Sequence, residues 1–309
     1  MTTLLITHPA CLDHLVPSGH PERPDRLRAV DRAFEAEKFQ TLARELAPMA
    51  ALESIALCHP MDYIVGIRDA SPKQGMVQLD GDTSMSPGSY EAALRAVGGG
   101  ILAVDEVVSK KAANAFVATR PPGHHAETAR PMGFCFFDNA AIAARHAQRQ
   151  HGIGRVAIVD FDVHHGNGSQ EIFWADKSVM YCSTHQMPLF PGTGAVGESG
   201  DYNTIVNAPL RPGDGAEKFC GAFDDRILPR LDEYKPELVI ISAGFDAHRR
   251  DPLANINLVE EDFAWATLKL MDIADRHAGG RVVSLLEGGY DLQGLANSAA
   301  AHVAALMRG

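Results

Sequence analysis

Val156-Ala157-Ile158-Val159-Asp160-Phe161-Asp162-Val163-His164-His165-Gly166-Asn167-Gly168 is where strand and chemistry meet in this chain. Its first four residues are apolar and mostly β-branched with no polar alternation, the pattern of a strand covered on both faces in a parallel sheet. From Asp160 onward the stretch is dense in carboxylates and imidazoles. Further apolar runs, Leu4–Thr7, Ala115–Thr119, Val179–Cys182, Leu238–Ser242 and Val282–Leu286, predict buried strands of the same kind. Between them, helical spacing predicts helices over Glu91–Val108, Asn139–His151, Ala216–Glu233, Glu260–His277 and Leu295–Met307. This alternation implies an α/β fold, a single open parallel β-sheet flanked by helices on both faces. One domain spanning residues 1–309 is expected, with two ordinary domains as the alternative for a chain of this size. Glycines 98–100 interrupt the first helix and predict a close backbone approach there.

A formal net charge of −11 argues against recognition of a nucleic acid backbone, which needs a basic surface, and suits a cationic substrate or partner. An acidic surface also simply keeps a protein soluble, so charge alone decides little. The cysteines Cys11, Cys58, Cys135, Cys182 and Cys220 are odd in number and form no C-x-x-C pair, which predicts reduced thiols and no thiolate metal site. Met1 to His14 lacks a basic leader and its apolar run is too short to span a bilayer, so no membrane partner and a cytoplasmic location are expected.

In an open parallel sheet, ligands bind beyond the carboxyl ends of the strands. Chemistry-bearing clusters follow four of the runs: Arg120-Pro121-Pro122-Gly123-His124-His125, Asp160 through Gly168, Ala243-Gly244-Phe245-Asp246 and Glu287-Gly288-Gly289-Tyr290. They should meet on one edge. Asp162 and His164, two apart in extended backbone, point to the same side and could share a metal. With Asp246 they make two carboxylates and an imidazole with open positions, as a catalytic zinc site requires. Alone, an Asp-x-His also fits a solvated loop; four convergent clusters favour the metal. Such an ion would activate water and polarise a carbonyl, the needs of amide hydrolysis. His124 and His125 are candidates for proton transfer, with Asp160 and Asn167 as orienting partners. Tyr290 could donate its hydroxyl to a developing oxyanion.

These motifs, with Gly133-Phe134-Cys135-Phe136, Asn139, Pro191-Gly192-Thr193-Gly194 and His20-Pro21-Glu22-Arg23-Pro24-Asp25-Arg26, together resemble the histone deacetylase and acetylpolyamine amidohydrolase superfamily, in its class II-like bacterial branch. The resemblance runs from about residue 8 to 300 in the family's order. It implies the arginase/deacetylase-like fold, with a substrate tunnel ending at one zinc ion held by Asp162, His164 and Asp246. It further implies His125 as proton shuttle, His124 as electrostatic partner and Tyr290 as the carbonyl-polarising group. Asn167 departs from family members with aspartate there and agrees with the class II pattern, making the partner of His125 neutral. Phe134 and Phe190 match tunnel walls, with Gly133 and Gly288 beside them and Asp82 at the rim. Structural K+ or Na+ ions are implied near Asp160, Asp162, His164, Ser183 and Thr184, and near Phe173, Asp176, Val179 and Thr204.

Polyamine-specific relatives often carry a glutamate at the tunnel mouth; Leu253 here leans toward acyl-lysine in peptides or proteins. Acetylpolyamines or other small acylated amines are the near alternative. A catalytically silent acyl-lysine reader would lack a ligand or Tyr290, and a di-metal arginase-type hydrolase would need more carboxylates around the ions. The oligomeric state, a homo-oligomer included, stays open.

Overall fold

A computed structural model describes residues 2–308. In chain order the elements are β1 (Thr3–Thr7), α1 (Asp25–Ala33), β2 (Ala43–Leu46), α2 (Leu52–Ile55), α3 (Met61–Ala70), the short pair β3 (Val77–Gln78) and β4 (Ser84–Met85), α4 (Ser89–Val108), and β5 (Asn114–Val117). Then follow α5 (Asn139–His151), β6 (Val156–Asp160), α6 (Asn167–Ile172), β7 (Val179–Gln186), β8 (Ile205–Leu210), α7 (Ala216–Ala222), α8 (Leu228–Tyr234), β9 (Leu238–Ala243), α9 (Glu260–His277), β10 (Val282–Leu286) and α10 (Leu292–Leu306).

Eight strands form one sheet in the order β2-β1-β5-β10-β9-β6-β7-β8, every pairing parallel. The period of two along each strand divides the core between the faces. Leu5, Phe116, Val159 and Ile241 pack with Val30 of α1, Phe263 and Leu270 of α9 and Val303 of α10. Leu4, Val117, Ile158 and Ile240 pack with Val97 of α4, Ala143 of α5 and Ile64 of α3. The expected fold class is what the structure shows. Burying each such aliphatic side chain contributes about 1.5–3 kcal/mol, so continuous apolar runs hold the sheet between its helices.

The glycines of α4 meet the expected close contact. A Cβ at Gly98 would stand 1.9 Å from the Pro48 carbonyl oxygen, because the 47–50 loop lies directly on the helix and Ala50 N–H donates to Leu94 O at 3.0 Å.

The six expected strands all form, and Val179–Cys182 continues through polar Ser183, Thr184 and His185. Two edge strands lay outside the pattern: β2 is Ala-Arg-Glu-Leu and largely exposed, and β8 carries Asn207 and Pro209. Proline is tolerated at a sheet edge, where one side of the strand needs no ladder donor. The expected helix 216–233 is divided into α7 and α8 by a π-helical turn, Phe223–Ile227. The last helix begins three residues earlier than expected, at Leu292, capped by the Asp291 carboxylate accepting from Gly294 N–H. Among the described residues no helix is long and apolar enough to cross a membrane.

Candidate active site

β5, β10, β9 and β6 are consecutive in the sheet, although they lie between residues 114 and 286 of the chain. The four polar clusters follow these four strands, so the fold brings them side by side at one carboxyl edge.

Asp162, His164 and Asp246 each offer a ligand atom within 4.8 Å of the others, and all three residues are buried. His164 Nδ1 lies 3.2 Å from Asp162 Oδ1 and 3.0 Å from Asp246 Oδ2. Main-chain donors hold the carboxylates from behind: Gly288 N–H reaches Asp162 Oδ2 at 2.7 Å and Val163 N–H reaches Asp246 Oδ1 at 2.8 Å. The Gly288 backbone is pressed so close that a Cβ there would stand 2.3 Å from Asp246 Oδ2. Burial, then the Asp162 charge, pushes the Asp246 carboxyl up to about 7. Burial opposes charge on His164 as well, yet Asp162 and Asp246 lift it to about 10. Two buried carboxylates crowding one imidazole call for positive charge at their centre. Three mixed N/O ligands fit a zinc ion of the catalytic kind.

The tandem histidines differ in partner. His124 Nδ1 lies 2.9 Å from Asp160 Oδ2, which also accepts from the Tyr181 hydroxyl at 3.0 Å. Burial would lower the His124 pKa, but Asp160, Asp162 and Glu287 outweigh it and hold it well above its ordinary value. His125 Nδ1 lies 2.8 Å from Asn167 Oδ1, and Asn167 Nδ2 donates to Glu127 Oε1 at 2.8 Å. That second bond fixes which end of the amide faces the ring: an oxygen that only accepts. The proton therefore sits on His125 Nδ1, and Nε2 keeps its lone pair. Burial, with His124 and His164 nearby, pushes His125 well below the ordinary range.

A cavity of about 260 Å³ leads to this group, lined by Asp82, His125, Gly133, Phe134, His164, Leu189, Phe190, Leu253 and Tyr290. His125 faces it; His124 is not among its walls. Phe190 packs edge-on to His125 with ring centroids 5.1 Å apart, and Phe134 to Tyr290 at 5.9 Å. Asp82 Oδ1 accepts from Gly133 N–H at 3.1 Å, so this residue also braces the loop carrying Phe134. The phenol of Tyr290 is pushed well above 10, burial being the main cause, and stays a hydroxyl donor.

Several contributors were not singled out as site residues in the sequence. Arg26, fully buried, donates through Nε to Gly289 O at 2.6 Å and through Nη2 to Glu287 O at 2.5 Å, with its guanidinium 5.0 Å from the Tyr290 ring centre. Glu22 binds both Arg26 and Arg120. The His20-to-Arg26 motif thus backs the Tyr290 loop, and its run of charges ahead of a helix was the available signal. Asp251, which accepts from Tyr290 N–H at 2.7 Å, and Glu127 gave no such signal.

Of the residues implied for monovalent ions, Asp160 and Ser183 are register partners on β6 and β7. Thr184 Oγ1 beside them is buried with no hydrogen-bond partner. In the second set, Asp176 N–H donates to Phe173 O at 3.1 Å and the Thr204 hydroxyl to Asp176 O at 3.0 Å, while the Asp176 carboxylate is taken by Arg145 and Ser178. Val179 opens β7 three residues after Asp176.

The histone deacetylase domain model matches residues 20–306. The chain is 39% identical over 304 residues to a probable deacetylase of Archaeoglobus fulgidus, covering 95% of this chain and 83% of that one. It is 38% identical over 278 residues to the histone deacetylase-like amidohydrolase of Pseudomonas aeruginosa, covering 88% and 73%. Among solved structures it matches the HDA15 HD domain with a TM-score of 0.93 at 34% identity, over 98% of this chain and 88% of that one. The chain belongs to the histone deacetylase family and has its arginase/deacetylase-like fold. By that membership it is a hydrolase of the deacetylase class.

Proposed function

We propose that this chain is a zinc-dependent amidohydrolase, one domain over its whole length, that removes the acyl group from acyl-lysine in peptides or proteins. The observation that carries this reading is the cavity, whose lining brings His125, His164 and Tyr290 together with the aromatic walls Phe134 and Phe190. Flat aromatic walls suit the aliphatic stem of a lysine.

Asp162, His164 and Asp246 would hold the zinc, whose chemistry there is Lewis acidity toward the carbonyl and a lowered pKa for water. Asp160 is turned away toward His124 and Tyr181, which supports one ion over two. The Nε2 lone pair of His125 takes the proton of the attacking water and returns it to the amine nitrogen as the C–N bond breaks. Tyr290 donates its hydroxyl to the carbonyl oxygen as negative charge builds there. His124, paired with Asp160, adds positive charge behind the reacting carbon. K+ or Na+ at the two sets near β7 would stiffen the loop after β6.

Leu253 in the wall supports acyl-lysine. Acetylpolyamine is the second reading, favoured by the Asp82 carboxylate at the same cavity. All five cysteines are free, which suits a reducing cytoplasm. The test is amine release from an acetyl-lysine peptide and from N-acetylputrescine, side by side, by zinc-loaded wild type and Tyr290→Phe. Tyr290-dependent turnover favouring the peptide is expected. Preference for acetylputrescine moves the enzyme to the second reading, and turnover of neither overturns both.

A further inference from the structure

A second group of metal-ligating side chains lies away from the carboxyl edge. His146 and His151 stand on the last turns of α5, and Asp105 faces them from α4. Both imidazoles place Nε2 on one oxygen, Asp105 Oδ1, at 2.7 and 2.6 Å. The ring centroids are 5.7 Å apart at 71°, and one ligand atom from each residue falls within 4.8 Å of the other two. α5 begins at Asn139, whose side-chain amide donates to Pro121 O in the loop carrying His124 and His125. At 1.5 Å per residue the cluster is therefore roughly 10–18 Å along the helix from that loop.

We infer that Asp105, His146 and His151 form a second, structural site for a divalent transition metal such as Zn2+, Ni2+ or Co2+, completed by water. Two imidazoles and one carboxylate are a donor set these ions favour. Around a tetrahedral ion with bonds near 2.0–2.1 Å the three ligand atoms would sit about 3.3 Å apart. The existing contacts need to open by only about 0.6–0.7 Å, and Asp105 and His151 are partly exposed. Each ring now has Nε2–H directed at the carboxylate; on binding, that proton moves to Nδ1 and the Nε2 lone pair takes the metal. The ion would then replace two hydrogen bonds with three coordinate bonds and tie the end of α5 to α4.

The test is a metal count on untagged protein, stripped with a chelator and dialysed against Co2+, read by metal analysis and by the visible absorption of tetrahedral cobalt. His146→Ala/His151→Ala is expected to bind one equivalent fewer than wild type, whatever the catalytic group holds. Added metal should raise the thermal midpoint of wild type more than that of the variant, and deacetylase activity should be unchanged. Equal metal content in the two proteins, with the same cobalt spectrum, overturns the inference. Should the double variant fail to fold by circular dichroism, His151→Gln, altering a ring about a quarter exposed, decides by the same count.

Discussion

Asn167 sets what His125 can do. Because its amide nitrogen is tied to Glu127, its oxygen faces the ring, and the lone pair remains on Nε2 of His125, a residue that lines the cavity. At the same scale, Tyr290→Phe keeps the ring between Phe134 and Arg26 and deletes only the hydroxyl. A kcat lower by about 10²–10³ is expected for the acetyl-lysine peptide, with thermal midpoint unchanged. Arg26→Lys keeps the charge but cannot reach Gly289 O and Glu287 O in one plane. Displacement of the Tyr290 loop should lower kcat/KM by about 10²-fold, measured by steady-state kinetics. Arg120→Ala would leave Glu22, fully buried, with too little positive charge; a loss of about 3–5 kcal/mol is expected in urea unfolding. The ligand trio, the two histidines and Tyr290 were legible because each follows an apolar run at a strand end. Glu127 and Asp251 were not, since nothing local distinguishes a loop carboxylate that meets its partner only through the fold.

The elements are legible to different degrees for a physical reason. Central strands such as β6 and β9 are covered on both faces and must be apolar, so their composition announces them. β2 and β8 sit at the edges: exposure permits Arg44 and Glu45 on β2, while on β8 the buried Asn207 is bonded to Gln170 and Pro209 needs no ladder donor on the open side, so neither strand carries the apolar pattern. In α4 the glycines are bound to packing, since the 47–50 loop occupies the space of a side chain. Gly98→Ala, which ordinarily favours a helix by about 1 kcal/mol, should here destabilise by about 1–3 kcal/mol. A urea midpoint at or above that of wild type would contradict the docking of that loop.

For the whole molecule, acid works against buried neutral histidines. His59 accepts from Asp138 N–H on Nε2 at 3.0 Å and meets Thr128 O through Nδ1 at 3.1 Å; burial lowers its pKa from 6.5 to about 4. His302, between Thr267 and Ser284, is lowered by burial from 6.5 to about 3. Below pH 6.5 the unfolded chain binds protons that the folded chain refuses at these rings, so stability is complete above 6.5 and falls as pH drops toward 4. Near about pH 5 each contributes on the order of 2 kcal/mol of that loss. Comparing urea midpoints at pH 7 and pH 5, His302→Leu should lose less than wild type by on the order of 2 kcal/mol, since it lacks one of these rings.

The sheet order has one more consequence, for the timing of synthesis. β10 follows the other seven strands of this sheet in the chain, yet it lies between β5 and β9, joining β2-β1-β5 to β9-β6-β7-β8. Until it leaves the ribosome the nascent chain holds two half-sheets, each with a bare inner edge of unpaired amides and carbonyls. The ligand-bearing half and the half that carries His124 and His125 are therefore joined through the sheet only once β10 has been made, and a message truncated before β10 would yield chains that are inert and prone to edge-to-edge association.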